Sequence, residues 1–320
     1  MKHRFFTFLL IAFAALTACK KNDQNQPDIK QYDDQQIQSY MTANSLTGFT
    51  KDTTTLSDGN SGIYYKILNQ GKGDTLKYSD IISIVYTIRS MDGKFAVGDT
   101  IANRRYDFLG HLTNPAAISG FALPSGLQLA IHNILKYKGS SMRVLIPSRL
   151  AYGTKGYGSG SITNVNTRIA GNQSLDIYVN VIKDQNAYDD MVIRNYLTAN
   201  NVISGYTKDP LGYYYKVITP GTGTIGEIGE YSNVSMTYAG SFLNGVYFDN
   251  ANTTTAVTFP GIFGAVTGFK DPLKKYAATG TSLSVYIPSS LGYGVSGNGG
   301  AVPPNSILHF ELQVTQVTQP

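Results

Sequence analysis

The sequence predicts an α+β fold built from two tandem domains. Two observations predict it: a long internal repeat, and within each copy a set of strand-like segments interrupted by one helical segment. The composition agrees with this prediction. A chain of 320 residues is long enough for two domains of ordinary size, and 33 glycines with 15% charged residues are typical of a globular, turn-rich protein.

The repeat has a period of about 156 residues, which is the size of a domain and not of a solenoid unit. Residues 32–52 recur at residues 188–209, and both stretches begin with Tyr-Asp-Asp and end with Thr-Lys-Asp. Later segments match in the same order. We therefore expect one domain at residues 32–185 and a second at residues 186–320.

Each copy opens with a segment that is predicted to be a short helix. The acidic pairs Asp33/Asp34 and Asp189/Asp190 favour its N-terminus through the helix dipole. The apolar residues are spaced to form one face, which docks on its own domain or, as the alternative, makes a dimer contact. These residues are Ile37, Tyr40 and Met41 in the first copy and Ile193, Tyr196 and Leu197 in the second.

Strand-like alternation follows each opening helix. In the first copy it covers Tyr64–Leu68, Ile81–Ile88, Met142–Ile146 and Leu175–Val181. In the second copy it covers Tyr213–Ile218, Asn233–Tyr238, Ser282–Ile287 and Ile307–Val317. These segments predict a sheet in each domain.

One further helix is expected between the strands of each copy. It covers about Leu127–Tyr137 in the first copy and about Phe269–Tyr276 in the second, with Pro272 in the first turn of the latter. Asn244-Gly245 lies between apolar runs and predicts a hairpin turn, because both residues tolerate positive φ. We expect Phe248-Asp249 to end the second strand of that hairpin.

The N-terminus carries a predicted signal peptide at residues 1–18. Lys2 and Arg4 precede an apolar run of about a dozen residues, which is too short to span a bilayer. Leu16-Thr-Ala-Cys19 then resembles the bacterial lipobox, which implies cleavage before Cys19 and attachment of lipid to it. The alternative is an ordinary signal peptide with a cysteine nearby by chance. Residues 19–31 are polar and are expected to form a flexible tether.

The cysteine count and the charge exclude several classes of function. Cys19 is the only cysteine, so the chain forms no internal disulfide and has no cysteine-based metal site. Residues 1–18 contain two of the 26 Lys and Arg residues and no acidic residue, so their removal lowers the net charge from +5 to +3. This charge is too small and too dispersed to indicate nucleic-acid binding.

Motifs for cofactor-dependent or covalent chemistry are also missing. None of the four histidines (His3, His111, His132, His309) is spaced from acidic residues as a metal ligand would be. Gly221–Gly226 matches G-x-G-x-x-G, but a strand and not a helix is expected after it, which argues against a dinucleotide site. We expect no cofactor and no covalent intermediate.

The second copy resembles the FKBP-type peptidyl-prolyl cis–trans isomerases over roughly residues 212–318. The resemblance rests on five segments that occur in the order of the family: residues 212–223, the hairpin with Tyr238, Gly245 and Phe248-Asp249, residues 259–269 with Ala265-Val266-Thr-Gly-Phe269, Ile287–Gly294, and Val302–Leu312. It implies a twisted antiparallel sheet wrapped around a short helix, with an apolar pocket between them.

The resemblance also implies which residues form that pocket. Catalytic positions match Tyr238, Phe248, Asp249, Phe269, Tyr293 and Phe310, and substrate-binding positions match Val257, Val266, Val302 and Pro303. Val266 is expected to hold a substrate carbonyl through its backbone N–H, and Tyr293 to bond the substrate backbone through its hydroxyl. Two positions depart from the family: Val257 replaces an aromatic wall residue, and Phe269 replaces a floor residue that is usually Trp.

The first copy resembles a degenerate member of the same family. Tyr86 and Tyr152 keep their places, but Ala96 and Val97 stand where Phe-Asp is expected. Leu129 is expected near the pocket floor. Ile177 replaces Phe310, and residues 166–171 replace the Pro-Pro segment.

The leading hypothesis is a prolyl isomerase that assists the folding of extracytoplasmic proteins and acts on proline-containing peptides or unfolded chains. The lipobox places it on a bacterial membrane, facing the periplasm or the cell surface, with the outer membrane favoured. Two alternatives remain: a non-catalytic peptide-binding chaperone or surface-assembly lipoprotein, and a purely structural surface lipoprotein. The sequence leaves the membrane leaflet and the oligomeric state open.

Overall fold

The computed structural model describes residues 28–57, 59–115, 121–158 and 168–320, with only the backbone of residues 250–253. The predicted signal peptide (residues 1–18) and Cys19 lie outside the described residues. The last three residues of the expected tether, 29–31, are helical, because the first helix begins at Ile29. Asp28 caps this helix by accepting a hydrogen bond from the N–H of Lys30 at 3.4 Å.

The described part of the first domain contains two α-helices, one large sheet and a separate two-stranded sheet. Helix α1 covers Ile29–Ala43, and α2 covers Ser125–Ala130 and continues as a wider helical turn at Ile131–Leu135. The strands are β1 Thr50–Lys51, β2 Tyr64–Asn69, β3 Ile81–Ser90, β4 Ala96–Val97, β5 Arg104–Phe108, β6 Ser141–Ile146, β7 Tyr157–Gly158, β8 Arg168–Ile169 and β9 Leu175–Ile182.

The second domain repeats this arrangement with α3 at Gln185–Ala199 and α4 at Thr267–Tyr276. Its strands are β10 Thr207–Lys208, β11 Tyr214–Thr219, β12 Asn233–Ser241, β13 Tyr247–Pro260, β14 Ser282–Ile287 and β15 Leu308–Thr318. The predicted strands therefore fall within three residues of those in the structure. The strands that were not predicted are β5, most of β13 and the two-residue strands β1, β4, β7, β8 and β10.

The two large sheets have the same antiparallel topology, and β7 pairs with β8 apart from them. The order is β1-β2-β6-β9-β3-β4 in the first, where β5 also pairs with β3, and β10-β11-β14-β15-β12-β13 in the second. The long strand β13 occupies the place that β4 and β5 share in the first sheet. The expected division of the chain at residue 185 falls between the two sheets, at the start of α3.

The core of each domain lies between the sheet and its central helix. On β15, Leu308, Phe310, Leu312 and Val314 are buried at every second position, as expected for a strand with one face on the core. Helix α4 buries Phe269 and Leu273 against the sheet. Pro272 lies at the sixth residue of α4 and not in its first turn as predicted, because the helix begins two residues earlier, at Thr267.

The opening helices dock on their own domains. Ile37 packs with Tyr64 and Leu145 of the first sheet. Ile193 and Leu197 pack in a cluster with residues of the second domain that includes Tyr214, Tyr286 and Ile307. This is the docking expected from the apolar face of each helix.

The predicted role of the acidic pairs as N-terminal dipole partners is wrong. Helix α1 is capped by Asp28 and α3 by Asp184, whose side chain accepts from the N–H of Ala187 at 3.0 Å. The pairs lie beyond the first turn and make tertiary contacts instead. Asp33 lies 3.2 Å from Nη1 of Arg149, and the N–H of Ser289 donates to Asp189 at 2.8 Å.

His309 links β15 to β14 in the second sheet. Its ring stacks on Tyr286 at 4.1 Å between centroids, and its Nε2 lies 2.9 Å from Oγ of Ser284. Burial lowers the pKa of His309 to about 4. The folded second domain therefore keeps this histidine neutral at a pH where the unfolded chain protonates it.

We predict that the second domain is weakened by acid through His309. Because the folded pKa lies below the unfolded value, stability is complete above about pH 6.5 and falls as the pH drops toward 4. Urea unfolding at pH 7 and pH 4.5 should show a loss that is about 2 kcal/mol larger in the wild type than in His309→Gln. Equal losses in the two proteins would contradict this assignment.

Candidate active site

A cavity of about 440 Å³ lies in the second domain between the sheet, helix α4 and the loop that precedes α4. Five of the predicted catalytic residues line it: Tyr238, Asp249, Phe269, Tyr293 and Phe310. Val266 and the loop residues 260–265 complete the wall. These five predicted residues therefore come from three strands, one helix and a loop.

Tyr238 and Asp249 form the polar part of the cavity wall. The Tyr238 hydroxyl donates to Oδ2 of Asp249 at 2.9 Å. Asp249 stands opposite Gly240 in the ladder between β12 and β13, and this ladder changes register on both sides of the pair. Such irregularities re-aim side chains near a site. Phe248-Asp249 lies at the start of β13 and not at a strand end as predicted, because the chain after Asp249 remains paired with β12.

Aromatic rings form the floor and the walls. Phe269 on α4 is 6% exposed, and its ring lies edge-to-face with Phe310 at 5.0 Å and with Tyr238 at 6.2 Å. Phe248 does not line the cavity. It lies behind Phe310, at 5.5 Å between centroids, and therefore supports the wall from outside.

Phe259, for which no role was predicted, also lines the cavity. Its ring lies 5.7 Å from that of Tyr238 and 6.3 Å from that of Phe269. Val257, which was expected at the wall, lies two residues earlier on β13, pairs with Met236 and does not line the cavity. Phe259 supplies the aromatic wall that Val257 lacks.

Gly240 is a second residue whose role the sequence did not indicate. A Cβ at this position would lie 2.6 Å from Cζ of Phe248 and 2.8 Å from Cε1 of Phe310. These distances are far below van der Waals contact, so the two rings occupy the space that a side chain would take. Gly240 thereby allows the aromatic wall to lie directly on β12.

Two polar groups of residues that line the cavity have no hydrogen-bond partner among the described residues: the backbone N–H of Val266 and the hydroxyl of Tyr293. Val266 is extended (φ −59°, ψ 149°) and precedes the first turn of α4. The other two predicted substrate residues do not line the cavity: Val302 is 1% exposed in the core, and Pro303 accepts a hydrogen bond from Ser306 at 2.8 Å.

The strand registers identify the matching positions in the first domain. In the first domain Tyr86 pairs with Val179, and in the second Tyr238 pairs with Leu312. Two residues further along each strand, Ile88 pairs with Val97 in the first domain and Gly240 pairs with Asp249 in the second. Val97 thus stands in the place of the carboxylate, as predicted. Ile177 also holds the ladder position of Phe310, because each faces a valine of the neighbouring strand.

The sequence suggested Leu129 as the residue near the pocket floor of the first domain. In the structure, Leu127 is the residue that corresponds to Phe269. Gly126 and Gly268 each lie close to an isoleucine of the adjacent strand. A Cβ added at Gly126 would lie 2.5 Å from Cγ2 of Ile146, and one added at Gly268 would lie 2.2 Å from Cγ2 of Ile287. This shared contact aligns the two helices without a gap. Leu127, which follows Gly126, is fully buried.

The same alignment makes Phe121 the counterpart of Phe263. Phe121 is turned inward, with its ring 5.9 Å from Phe95, 6.0 Å from Tyr152 and 4.7 Å from Tyr157. The Tyr152 hydroxyl donates to the carbonyl of Ala122 at 2.7 Å. Phe263, by contrast, is 58% exposed at the mouth of the second-domain cavity. The first domain therefore places its own aromatic ring against the tyrosine that corresponds to Tyr293.

Within the described residues, no group of three or more His, Cys, Asp or Glu side chains is arranged to hold a metal ion. In the same part of the chain, no helix has the length and the apolar character needed to cross a membrane.

Comparisons with known proteins identify relatives of this chain. Residues 226–315 match the family model described as FKBP-type peptidyl-prolyl cis-trans isomerase. FK506-binding protein 1 of Dictyostelium discoideum is 33% identical over 107 residues, which cover 32% of this chain and 96% of that protein. Outer membrane protein MIP of Legionella longbeachae is 29% identical over 122 residues, which cover 38% of this chain.

The chain spans about half the length of the Legionella protein, 51%. Among solved structures, the crystal structure of FkpA from Escherichia coli is 27% identical, with coverage of 42% of this chain and 61% of that chain and a TM-score of 0.36.

We predict that Gly240→Ala disrupts the aromatic wall. The new methyl group would overlap the rings of Phe248 and Phe310, and overpacking of this kind costs about 1–3 kcal/mol. Chemical unfolding measures this loss, and near-ultraviolet circular dichroism detects the displaced rings. Gly264→Ala is the matched control, because it lies in the cavity loop and an added Cβ meets nothing within 4 Å. Equal stability of the two variants would contradict the role of Gly240.

Proposed function

This chain belongs to the FKBP-type peptidyl-prolyl cis-trans isomerase family, and from that premise we propose that the cavity of its second domain catalyses rotation about X–Pro peptide bonds. The observation that carries the proposal is the composition of the cavity. Aromatic rings surround one hydrogen-bonded Tyr–Asp pair, and two further lining residues, Val266 and Tyr293, carry a backbone N–H and a hydroxyl without a partner among the described residues.

The reaction needs no group of the protein to form or break a bond. Rotation about a peptide bond meets a barrier of about 18–20 kcal/mol because resonance keeps the amide planar. At X–Pro both isomers are populated, yet uncatalysed exchange takes tens to hundreds of seconds. A site accelerates exchange when it binds the twisted amide more tightly than the planar one.

The cavity walls favour the twisted amide over the planar amide. Twisting reduces the charge separation of the amide, so an apolar site that excludes water stabilises it relative to the planar form. The rings of Phe259, Phe269 and Phe310 are placed to seat a proline ring in such surroundings.

The polar groups of the cavity position the substrate. The N–H of Val266 is placed to donate to a substrate carbonyl, and the Tyr293 hydroxyl to bond the backbone next to the proline. Asp249 accepts from Tyr238 and fixes the orientation of that ring. In this mechanism Asp249 organises the wall and does not act as a general acid or base. Phe248 contributes by supporting Phe310.

We assign the activity to the second domain alone. Val97 stands in the position of Asp249, and Phe121 lies against the ring of Tyr152. The carboxylate is thus missing from the first domain, and an internal side chain fills the space at its tyrosine. This arrangement supports a structural role for the first domain.

The natural substrates in this proposal are proline-containing segments of unfolded proteins outside the cytoplasm. The resemblance of Leu16–Cys19 to a lipobox supports attachment to a bacterial membrane through Cys19. The Legionella relative is described as an outer membrane protein, which is consistent with this location. Attachment of more than one acyl chain would hold the protein on the membrane durably.

We predict that the chain accelerates cis–trans exchange of an X–Pro peptide and that Asp249→Ala lowers kcat/KM by roughly 10- to 100-fold. The loss follows because the Tyr238 hydroxyl would lose its acceptor in the cavity wall, at a cost of about 1–3 kcal/mol. An exchange measurement by NMR on the full chain tests this. Tyr152→Phe, in the first domain, is the control and should leave the rate unchanged.

Equal rates for the wild type and Asp249→Ala would overturn the assignment of the site. If both proteins lacked activity but suppressed aggregation of an unfolded protein equally well, the chaperone alternative would replace the isomerase.

We further predict that Cys19→Ala releases the protein from the membrane fraction of the native host. Removal of the lipidated thiol leaves no acyl chain to insert in the bilayer. Fractionation and intact-mass measurement of the mature protein check this. A Cys19→Ala protein that stays with the membrane would point to an anchor elsewhere in the chain.

A further inference from the structure

A short segment of the first domain lies against the second domain. This bridging segment, residues 99–104, connects β4 to β5 and begins β5. Its central residue Ile101 packs against the second-domain cluster that contains Ile193, Leu243 and Ile307. The oxygen Oδ1 of Asp99 accepts from the N–H groups of Ile101 and Ala102, both at 2.8 Å, and this holds the segment in a tight turn.

The two ends of the bridging segment contact two loops that are continuous with cavity residues, the hairpin turn before Asp249 and the segment that follows Tyr293. Nδ2 of Asn244 donates to Oδ2 of Asp99 at 3.1 Å, and Asn244 lies in the hairpin turn that leads to Asp249. Nη1 of Arg104 donates to the carbonyl of Asn305 at 2.6 Å. Asn305 in turn donates through its N–H to the carbonyl of Gly294, which is the neighbour of Tyr293, at 2.8 Å.

Arg104 is buried and lies next to a buried carboxylate of the second domain. Its Nη1 lies 4.0 Å from Oδ1 of Asp189, and the two side chains are 2% and 0% exposed. Asp189 also accepts from the N–H of Ser289 at 2.8 Å and from Nε2 of Gln185 at 2.8 Å. Burial raises the pKa of Asp189 and lowers that of Arg104, so each charge depends on the other.

The repeat shows that this cation comes from a different place in each domain. In the first domain the equivalent carboxylate, Asp33, is paired with Arg149, which follows the Ile-Pro-Ser motif. In the second domain the residue after Ile-Pro-Ser is Ser290, which carries no charge. The first domain therefore provides, through Arg104, the cation that the second domain lacks.

We propose that Arg104 is a positioning residue for the active site of the second domain, and that the first domain completes that site through the bridging segment. Arg104 neutralises Asp189 and also holds the carbonyl of Asn305, which fixes the loop that carries Tyr293. This inference rests on the proposed isomerase function for its catalytic consequence. Its structural part, the fixing of the loop by Arg104, is measured without any activity.

The test separates neutralisation of charge from positioning of the loop. Arg104→Leu alone leaves a buried carboxylate unpaired and is expected to destabilise the protein strongly. Asp189→Asn removes that charge and keeps an acceptor for Ser289. The comparison of Arg104→Leu/Asp189→Asn with Asp189→Asn, both in the full chain, therefore removes the bonds from Arg104 to Asn305 and to the carbonyl of Ile101 without leaving a buried carboxylate unpaired.

Asp189→Asn leaves the buried Arg104 without its counter-charge, whereas the double variant carries neither charge. We therefore expect the double variant to unfold at a denaturant concentration no lower than that of Asp189→Asn. Its Asn305 amide should exchange roughly 10-fold faster with solvent, and kcat/KM should fall roughly 10-fold, mainly through kcat. Arg143→Leu is the matched control. It breaks an arginine–aspartate pair with Asp176 inside the first domain and should change neither the exchange rate nor kcat/KM.

Equal exchange rates at Asn305 in the double variant and in Asp189→Asn would overturn the proposal and leave Arg104 with charge neutralisation alone. Faster exchange without a change in kcat/KM would also overturn it, because the loop would not then matter for catalysis. If the wild type showed no isomerase activity, the proposed function would fail, whereas the exchange rates would still decide whether Arg104 fixes the loop.

Discussion

The close approach of a glycine to the sheet determines the architecture of both domains. Gly268 at the start of α4 lies so near β14 that a Cβ would sit 2.2 Å from Cγ2 of Ile287, and Gly126 approaches Ile146 in the same way. Only a residue without a side chain allows a helix to pack at this distance. The next residue of the helix then points into the space that the sheet curves around. In the second domain this residue is Phe269, the floor of the cavity.

The two domains differ in what fills that space. In the first domain Ile88, Leu127 and Ile177 provide aliphatic packing, and Phe121 lies over it. In the second domain Gly240 makes room on β12 for Phe248 and Phe310, and Phe263 stays outside. Among the described residues, one backbone plan thus yields mainly aliphatic packing in one copy and an aromatic cavity in the other. The difference arises from side-chain volume at a few matching positions and not from a change in topology.

Much of this arrangement was predictable from the sequence, because its signals are local or repeated. The internal repeat fixed the domain plan, and alternation located most strands. The residues Tyr238, Asp249, Phe269, Tyr293 and Phe310 were predicted as one site, and they line one cavity. The acidic pairs were misjudged for a related reason: a local helix-dipole argument ignored the tertiary partners Arg149 and Ser289, which the sequence does not bring near them.

The features that escaped prediction depend on contacts between distant parts of the chain. Phe259 lines the wall because irregular pairing between β12 and β13 sets the placement of that strand, and alternation alone does not reveal irregular pairing. Gly240 matters through two rings that meet it in space. The bridging segment was invisible because its partners, Asn244 and Asn305, lie in another domain.

The position of Phe121 has a consequence for stoichiometry. A duplicated chain would ordinarily offer two equivalent places to a small cyclic ligand, and binding would follow a two-site isotherm. Here the ring of Phe121 already makes, at Tyr152 and Tyr157, the contacts that such a ligand would seek. Under the proposed function, a proline mimetic therefore binds the cavity of the second domain, whereas in the described part of the first domain the ring of Phe121 occupies the matching place.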